Sequence, residues 1–116
     1  MVTKAQIEEI VQILVRECQP EQIILFGSYA SGKANEESDL DLAIVTKTDL
    51  PKFKRPVPFQ KALRNGGRKW LFPMDILVFT PEEMEAWKSD PYSLVHEIVK
   101  TGKTLYESKQ PATLVH

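Results

Sequence analysis

The chain has 116 residues, a net charge of −1 and 42% hydrophobic residues, which predicts one globular domain with a single core. Charged residues interrupt its N-terminal segment, which argues against a signal peptide or a membrane span there. Its one cysteine, Cys18, excludes an internal disulfide and a cysteine-based zinc site. We therefore expect a cytoplasmic protein.

The first half of the chain predicts one long helix and two strands. Thr3 and Gln6 form a capping-box pattern ahead of an apolar stripe at helical spacing, and Pro20 ends that stripe. The apolar run that follows is continuous, as in a strand covered on both faces. The predicted elements are a helix before Pro20, a strand at 22–26, a turn with a short helix at 27–33, a polar loop at 35–38 and a strand from Asp39 to Thr46.

The second half predicts further helices around a third strand. Thr80 and Glu83 repeat the capping-box pattern, with Pro81 at the first helical position. Gly66 and Gly67 are typical of a helix end. The predicted elements are a helix from Phe59 to Asn65, a strand from Met74 to Phe79, a helix after Thr80, a helix beginning at Asp90-Pro91 and an edge strand at 104–106.

These elements predict the fold class α/β (α+β): a small mixed β-sheet of three to four strands flanked by helices. We expect a single domain over residues 1–107 and a loose C-terminal tail over residues 108–116, because the tail has no periodic pattern.

Three carboxylates fall on the predicted strands. Residues two apart on a strand share a face, so Asp39 and Asp41 point the same way. Asp75 lies near the start of the next strand, and neighbouring strands would bring all three together. Two carboxylates about 7 Å apart repel each other unless a cation lies between or beside them. Oxygen donors without histidine or cysteine suit magnesium, which completes its shell with water and substrate phosphates.

A glycine–serine pair precedes these carboxylates. Gly27 allows a ligand to approach the backbone, and the turn amides and the Ser28 hydroxyl can donate to phosphate oxygens. Either motif alone is more often a plain turn or a strand-end cap. Together they predict in-line phosphoryl or nucleotidyl transfer with two metal ions.

The segments "GSYASGKANEESDLDLAIV" and "PMDILVFTPEEM" resemble the nucleotidyltransferase superfamily related to DNA polymerase beta. In its short length the chain resembles the minimal branch of that superfamily, the minimal nucleotidyltransferase (MNT) proteins. The resemblance covers nearly the whole chain. It implies a palm-like nucleotidyltransferase fold and ATP as substrate. It also implies that Asp39 and Asp41 bind two Mg²⁺ ions, that Asp75 binds the catalytic ion and activates the attacking hydroxyl, and that Gly27 and Ser28 hold the β- and γ-phosphates.

The resemblance further implies a partner. Minimal members pair with a HEPN-type toxin that has ribonuclease activity, and some transfer AMP from ATP to a tyrosine of that toxin. The chain would then be an antitoxin and a protein adenylyltransferase. From the residues themselves we expect no membrane partner and no direct nucleic-acid contact, since the whole chain is not basic and lacks a known nucleic-acid-binding module. Two alternatives stay open: an antitoxin that neutralises its partner by binding alone, with a vestigial metal site, and a small-molecule nucleotidyltransferase of the aminoglycoside type. The lack of an acceptor-binding domain disfavours the latter.

One position departs from the family pattern. Ser31 stands where many relatives have arginine, which removes a fixed positive charge near the phosphate turn. Lys33 is the candidate substitute, although lysine lacks the planar fork of arginine. Tyr29 is a further candidate, placed to pack beside the nucleotide.

A basic segment separates the second strand from Asp75. Residues 47–69 contain eight basic residues and one acidic residue, a net charge of +7. One interpretation is that Lys54, Arg55 or Arg64 contacts the triphosphate or an acidic partner surface. The alternative is a solvated basic face with no ligand.

Overall fold

In a computed structural model, which describes residues 1–109, five α-helices and four strands form an α+β domain. This confirms the predicted fold class. The helices are α1 (Lys4–Cys18), α2 (Ser28–Ser31), α3 (Val57–Arg64), α4 (Pro81–Trp87) and α5 (Leu94–Thr101). The strands are β1 (Gln22–Phe26), β2 (Leu40–Val45), β3 (Met74–Phe79) and β4 (Lys103–Glu107).

The four strands form one mixed sheet in the order β3-β2-β1-β4. The central strand β1 runs antiparallel to both β2 and β4, whereas β2 and β3 are parallel. The predicted edge strand near the C-terminus is therefore confirmed as β4. The other edge of the sheet is β3, which pairs only with β2 among the described residues.

The two faces of the sheet carry separate apolar clusters. The larger cluster lies under α1 and α3, where Ile10 and Leu14 pack with Leu42 and Ile76 of the sheet. The smaller cluster lies on the opposite face, where Ile98 of α5 packs with inward residues of β1 and β2. Because side chains alternate along a strand, Leu40 and Leu42 occupy the first face and the residues between them point to the second.

Local hydrogen bonds define the starts of two helices as predicted. The Gln6 amide donates to Thr3 Oγ1 (3.1 Å), and the Thr3 amide donates to Gln6 Oε1 (2.8 Å). The Thr80 and Glu83 pair repeats this reciprocal arrangement at 3.2 and 2.8 Å. Both capping boxes satisfy amides that have no partner within the helix.

The prediction that a helix begins at Asp90-Pro91 is wrong. There, Asp90 Oδ1 accepts a hydrogen bond from the Tyr92 amide (2.9 Å), which forms a turn. Helix α5 begins instead at Leu94, because the Ser93 hydroxyl accepts from the His96 amide (3.0 Å) and acts as its N-cap. Smaller differences affect α3, which begins at 57 rather than 59, and β2, which begins at Leu40 and leaves Asp39 just outside.

The end of the described chain is tied to the start of β1. The Ser108 amide donates to the carbonyl of Glu21 (2.8 Å). Of the predicted tail at 108–116, residues 110–116 lie outside the described residues. Within residues 1–109, no helix combines the length and apolar character that crossing a membrane requires.

Candidate active site

Two of the predicted carboxylates lie side by side at the start of the parallel strand pair. In the register of β2 and β3, Asp41 pairs with Asp75 and Leu40 with Met74. The Leu40 amide also donates to the Pro73 carbonyl (3.0 Å), which extends the pairing by one step. Because paired residues on neighbouring strands point to the same face, both carboxylates emerge on the face opposite α1 and α3. The structure thus brings together two aspartates that are 34 positions apart in sequence.

The third carboxylate is positioned by a tight turn before β2. Asn35 Oδ1 accepts from the Glu37 amide (2.8 Å), and the Ser38 hydroxyl accepts from the Asn35 amide (2.9 Å). Side chain–backbone bonds of this kind fix a short loop without help from a helix or strand. The turn is followed by Asp39, which is exposed and immediately precedes the first residue of β2.

Gly27 lies against the Asp41 carboxylate. Phe26, the last residue of β1, pairs with Asp41, so the next residue passes over the carboxylate. A Cβ at Gly27 would lie 2.2 Å from Asp41 Oδ2, and the backbone there has φ +72°. Both the contact and the backbone conformation require glycine. The glycine of the phosphate-turn motif therefore has a structural reason, which is to let the turn and the carboxylate meet.

The surroundings of Asp41 disfavour the ionised form of its carboxyl. Burial, then the charge of Asp75, then the charge of Asp39 raise the pKa of Asp41 above its ordinary value. Asp41 is half-buried while Asp39 and Asp75 are exposed, so the site opens to solvent. An arrangement of three mutually repelling carboxylates is stabilised by a cation.

The donor set fits a magnesium ion that arrives with its substrate. Among residues 1–109, no group of three or more histidine, cysteine or acidic side chains forms a ready cage for a metal ion. Mg²⁺ usually keeps several waters and binds through one or two carboxylates plus substrate phosphates, rather than within an all-protein cage. The neighbouring carboxylates of Asp41 and Asp75, with Asp39 beside them, match that mode.

Helix α2 is a single turn that follows Gly27. The Gly27 carbonyl accepts from the amides of Ala30 and Ser31 (3.1 Å each), which leaves the first amides of the turn without partners inside the helix. The Ser31 hydroxyl donates to the Ser28 carbonyl (3.2 Å). The residue that replaces the common arginine thus closes the turn on itself.

Tyr29 and Lys33 are placed differently from each other. The Tyr29 ring packs against the large cluster, and its hydroxyl accepts a hydrogen bond from the Val2 amide (2.9 Å), which ties α2 to the N-terminus. Within the fold, the Tyr29 hydroxyl therefore already has a hydrogen-bond partner. Its contact with the nucleotide stays a prediction. The Lys33 side chain is exposed, and its amide donates to the Ser28 carbonyl (3.0 Å).

The basic segment begins at the other end of β2 and β3. There Arg55 Nη1 lies 2.7 Å from Glu83 Oε1 and its Nε donates to the Leu50 carbonyl (3.0 Å). The Arg55 side chain is only 11% exposed, so it links the loop to α4. Sequence reasoning missed this ion pair, because its members are 28 positions apart and nothing local signals their contact.

Comparison with protein families identifies the chain. Residues 8–111 match the family model described as "Polymerase beta, Nucleotidyltransferase". The chain belongs to the polymerase beta nucleotidyltransferase family. The resemblance inferred from the glycine–serine turn and the three aspartates is confirmed at the level of this family.

Two curated relatives of this nucleotidyltransferase come from Methanocaldococcus jannaschii. They are named "Putative protein adenylyltransferase" MJ1305 and MJ0141. The first is 34% identical over 89 residues, covering 73% of this chain and 57% of the relative. The second is 40% identical over 58 residues, covering 50% of this chain and 54% of the relative. The chain therefore spans little more than half the length of the curated relatives it matches.

Solved structures share the fold. The crystal structure of "a putative nucleotidyltransferase from Sulfolobus solfataricus" has a TM-score of 0.61 at 20% identity, covering 90% of this chain and 79% of that one. A structure described as a toxin–antitoxin with AMP-PNP has a TM-score of 0.57 at 23% identity, covering 89% and 75%. A mutant of the toxin–antitoxin MntA-HpeT has a TM-score of 0.58 at 22% identity, covering 88% and 73%. At these identities the likeness establishes the nucleotidyltransferase fold.

Proposed function

We propose that this nucleotidyltransferase transfers AMP from ATP, with two Mg²⁺ ions, to a tyrosine hydroxyl of a HEPN-type toxin. It would act as the antitoxin of that toxin in the cytoplasm, where ATP is supplied. The observation that carries the chemistry is the pairing of Asp41 with Asp75, with the Gly27 backbone against the Asp41 carboxylate. This adjacency supports the proposal, because nucleotidyl transfer requires the residues that would hold the phosphates to lie beside those that would hold the metal ions.

The choice of donor and acceptor has separate support. Both curated relatives carry the name of a protein adenylyltransferase, which supports AMP as the transferred group and a protein as the acceptor. Two structures with the same fold are described as toxin–antitoxin assemblies, and one of them contains AMP-PNP, an ATP analogue. These likenesses support the partner class, and the tyrosine acceptor rests on the resemblance to minimal nucleotidyltransferases.

The residues divide the reaction between them. Asp39 and Asp41 would hold two Mg²⁺ ions, which when bound supply positive charge for the reacting and leaving phosphate oxygens. Gly27 and Ser28 would hold the β- and γ-phosphates, with Lys33 and Tyr29 as further nucleotide contacts. Asp75, exposed on the edge strand, would bind the catalytic ion and help to activate the attacking hydroxyl by accepting its proton. The new bond joins that oxygen to the α-phosphorus, and the bond to the β-phosphate oxygen breaks to release pyrophosphate.

Transfer of label tests the proposal. The protein is incubated with MgCl₂, ATP radiolabelled at its α-phosphate and a purified HEPN-type toxin encoded beside its gene, and label on the toxin is measured after electrophoresis. We expect transfer with the wild type and loss of transfer with Asp41→Asn and Asp75→Asn. The matched control is Asp49→Asn, an exposed aspartate beyond the far end of β2, which should transfer normally. Label transfer that persists in both site variants would refute the assigned chemistry.

One observation favours a second candidate, neutralisation by binding alone. The Ser31 hydroxyl is bonded to the Ser28 carbonyl, so this position supplies no cation to the phosphate turn. The double variant Asp39→Ala with Asp41→Ala separates the two functions. If that variant still blocks the ribonuclease activity of the toxin and the wild type transfers no label, binding alone accounts for the function.

A further inference from the structure

A groove of about 520 Å³ runs beside the open edge strand β3. We call it the edge groove. Helix α3 forms one wall, and the chain between α3 and β3 forms the other. Its apolar lining residues are Leu63, Trp70, Leu71, Phe72, Met74 and Ile76, and its basic ones are Arg64, Arg68 and Lys69.

The aromatic wall of the edge groove is held in place by specific contacts. Trp70 Nε1 donates to the Leu63 carbonyl (2.9 Å), which fixes the indole to the end of α3. Trp70 and Phe72 meet edge-to-face, with ring centroids 5.9 Å apart. Leu71 between them is 95% exposed. The wall is therefore preformed, and it presents a free apolar side chain whose burial would favour binding.

The charge of the edge groove is positive and largely unpaired. Arg68 forms an ion pair with Glu9 of α1, so its charge is already neutralised within the chain. Arg64 and Lys69, by contrast, form no ion pair with any residue in the range 1–109. Two free cations on an apolar groove are complementary to a ligand that carries both carboxylates and apolar side chains.

The backbone of β3 offers hydrogen bonds along the same groove. The carbonyls of Pro73 and Phe79 face β2, since they accept from the amides of Leu40 and Thr46 (3.0 Å each). Backbone groups alternate sides along a strand, so those of Met74 and Ile76 face the open edge. Both are groove residues, and Asp75 lies between them. An exposed edge of this kind is a template for adding an extended segment.

We propose that the edge groove binds an extended acidic and apolar segment of the acceptor protein, which adds to β3 as a further strand. The proposal rests on the proposed function, because it names the surface that presents the acceptor hydroxyl to the site. A segment residue that pairs with Asp75 points to the same face as the carboxylate. Its neighbours on either side point to the opposite face, into the groove, where Arg64 and Lys69 lie.

This geometry predicts a sequence preference in the acceptor. The modified residue has its hydroxyl beside Asp75, so it accepts AMP while pyrophosphate leaves the α-phosphorus and the hydroxyl proton passes to Asp75. The residues immediately before and after it are acidic or apolar, because they meet the cations and the apolar lining of the groove. An acceptor with lysine at those positions binds poorly through like-charge repulsion.

A random copolymer of glutamate and tyrosine is the probe for this chemistry, since it supplies carboxylates, apolar rings and hydroxyls together. Binding is followed by the fluorescence of Trp70, with Trp87→Phe as background so that one tryptophan reports. We expect saturable binding that weakens with salt, and at least a tenfold loss of affinity in Arg64→Glu with Lys69→Glu. The control Lys47→Glu with Lys61→Glu changes the charge equally in the same segment, outside the edge groove, and should change the affinity less than twofold. Thermal melts and the affinity for Mg²⁺ with AMP-PNP verify that each variant is folded.

The outcomes separate the groove from the reaction. Binding that depends on Arg64 and Lys69 supports the groove even without label transfer to the copolymer, and the proposed function is then decided by label transfer to the toxin. Transfer whose KM for the copolymer is the same in both double variants overturns the groove and leaves the proposed function intact. The groove proposal is also overturned by equal binding of a lysine–tyrosine copolymer, by tighter binding of an oligonucleotide, by a self-association that the groove variant abolishes, or by absence of copolymer binding.

Discussion

The two ends of the parallel pair β2 and β3 shift the pKa of a carboxylate in opposite directions. At the start of the pair, Asp41 lies beside Asp75 with Asp39 next to them, and burial, then the charges of Asp75 and Asp39, raise the pKa of Asp41. At the far end, Glu83 meets Arg55 at 2.7 Å. Burial raises the pKa of Glu83, but hydrogen bonds from the Thr80 backbone and from Arg55 outweigh it and hold the pKa below its usual value.

The difference separates a carboxylate whose counterion the chain provides from carboxylates that the described chain leaves without one. Glu83 receives its counterion from the chain, so its charge helps to hold α4 against the loop before α3. The carboxylates at the start of the pair repel each other, a cost that a bound cation would remove. The chain neutralises a carboxylate at one end of the two strands, and at the other end we propose that the neutralising ion enters with the substrate.

The largest expected effect comes from removing a charge at the start of the pair. Asp41→Asn should lower the rate of nucleotidyl transfer by roughly 10³-fold, about 4 kcal/mol at 1.36 kcal/mol per decade, because the proposed mechanism loses a metal ligand. The same substitution relieves repulsion from Asp39 and Asp75, so the free energy of unfolding without Mg²⁺ should stay equal or rise. Single-turnover kinetics and urea unfolding measure the two quantities. A variant that is both inactive and strongly destabilised would show that Asp41 serves the fold.

Removing the Arg55 cation at the far end should have the reverse effect, lowering the free energy of unfolding without changing nucleotide binding. Arg55→Met keeps the length of the side chain but leaves Glu83, whose side chain is 22% exposed, without its partner. We expect a loss of about 2 kcal/mol in the free energy of unfolding, since hydrogen bonds to charged groups are worth roughly 1.5–3 kcal/mol. Affinity for Mg²⁺ with AMP-PNP, measured by calorimetry on the folded variant, should not change. A large loss of nucleotide affinity would instead support the sequence-based interpretation that Arg55 contacts the triphosphate.

A glycine pair tests the contact between the phosphate turn and Asp41. Gly27 and Gly32 flank α2 and both have a positive φ, +72° and +78°, but ψ is −152° at Gly27 and 13° at Gly32. A Cβ at Gly32 would meet nothing within 4 Å, whereas one at Gly27 would meet Asp41 Oδ2 at 2.2 Å. Alanine at Gly32 costs about 1 kcal/mol for its left-handed conformation, and alanine at Gly27 costs more because its ψ lies in a region essentially restricted to glycine. We expect Gly27→Ala to cost about 1 kcal/mol more in unfolding free energy and to weaken nucleotide binding as well.

Equal stability and equal nucleotide affinity in Gly27→Ala and Gly32→Ala would contradict the close approach. Urea unfolding gives the first comparison, and calorimetric titration with Mg²⁺ and AMP-PNP gives the second.

The sequence predicted local features well and long-range ones poorly. Both capping boxes are correct because each depends on residues three apart, and the alternation of Asp41 with Leu40 and Leu42 follows from strand geometry. The start of α5 was misplaced because Asp90 and Ser93 both cap turns, and only Ser93 reaches a helical amide.

The register of β2 against β3 depends on packing across a 28-residue connection, so no local pattern could show that Asp41 pairs with Asp75. The same holds for the Arg55–Glu83 pair and for the edge groove, since both are formed by segments distant in sequence. The basic segment was recognisable as a charge excess. Its division into a structural arginine and a free pair, Arg64 and Lys69, required the fold.

The smallest expected effect is a difference in pH dependence between the two ends. Asp41 has a raised pKa, so the folded chain holds this proton more tightly than the unfolded chain does. Its contribution to the free energy of unfolding therefore increases as the pH falls from above the folded pKa towards the ordinary value of 3.8. Glu83 has a lowered pKa, so its contribution is present above the ordinary value of 4.5 and is lost as the pH falls through the folded pKa.

Urea unfolding of the wild type, Asp41→Asn and Glu83→Gln at a series of pH values separates these contributions. As the pH falls, the free energy of unfolding of the wild type should rise relative to that of Asp41→Asn. Over the same pH range, the free energy of unfolding of the wild type should fall relative to that of Glu83→Gln. Slopes of the same sign would mean that the carboxylates at the two ends are neutralised alike, and that the start of β2 and β3 holds no uncompensated charge for a magnesium ion to bind.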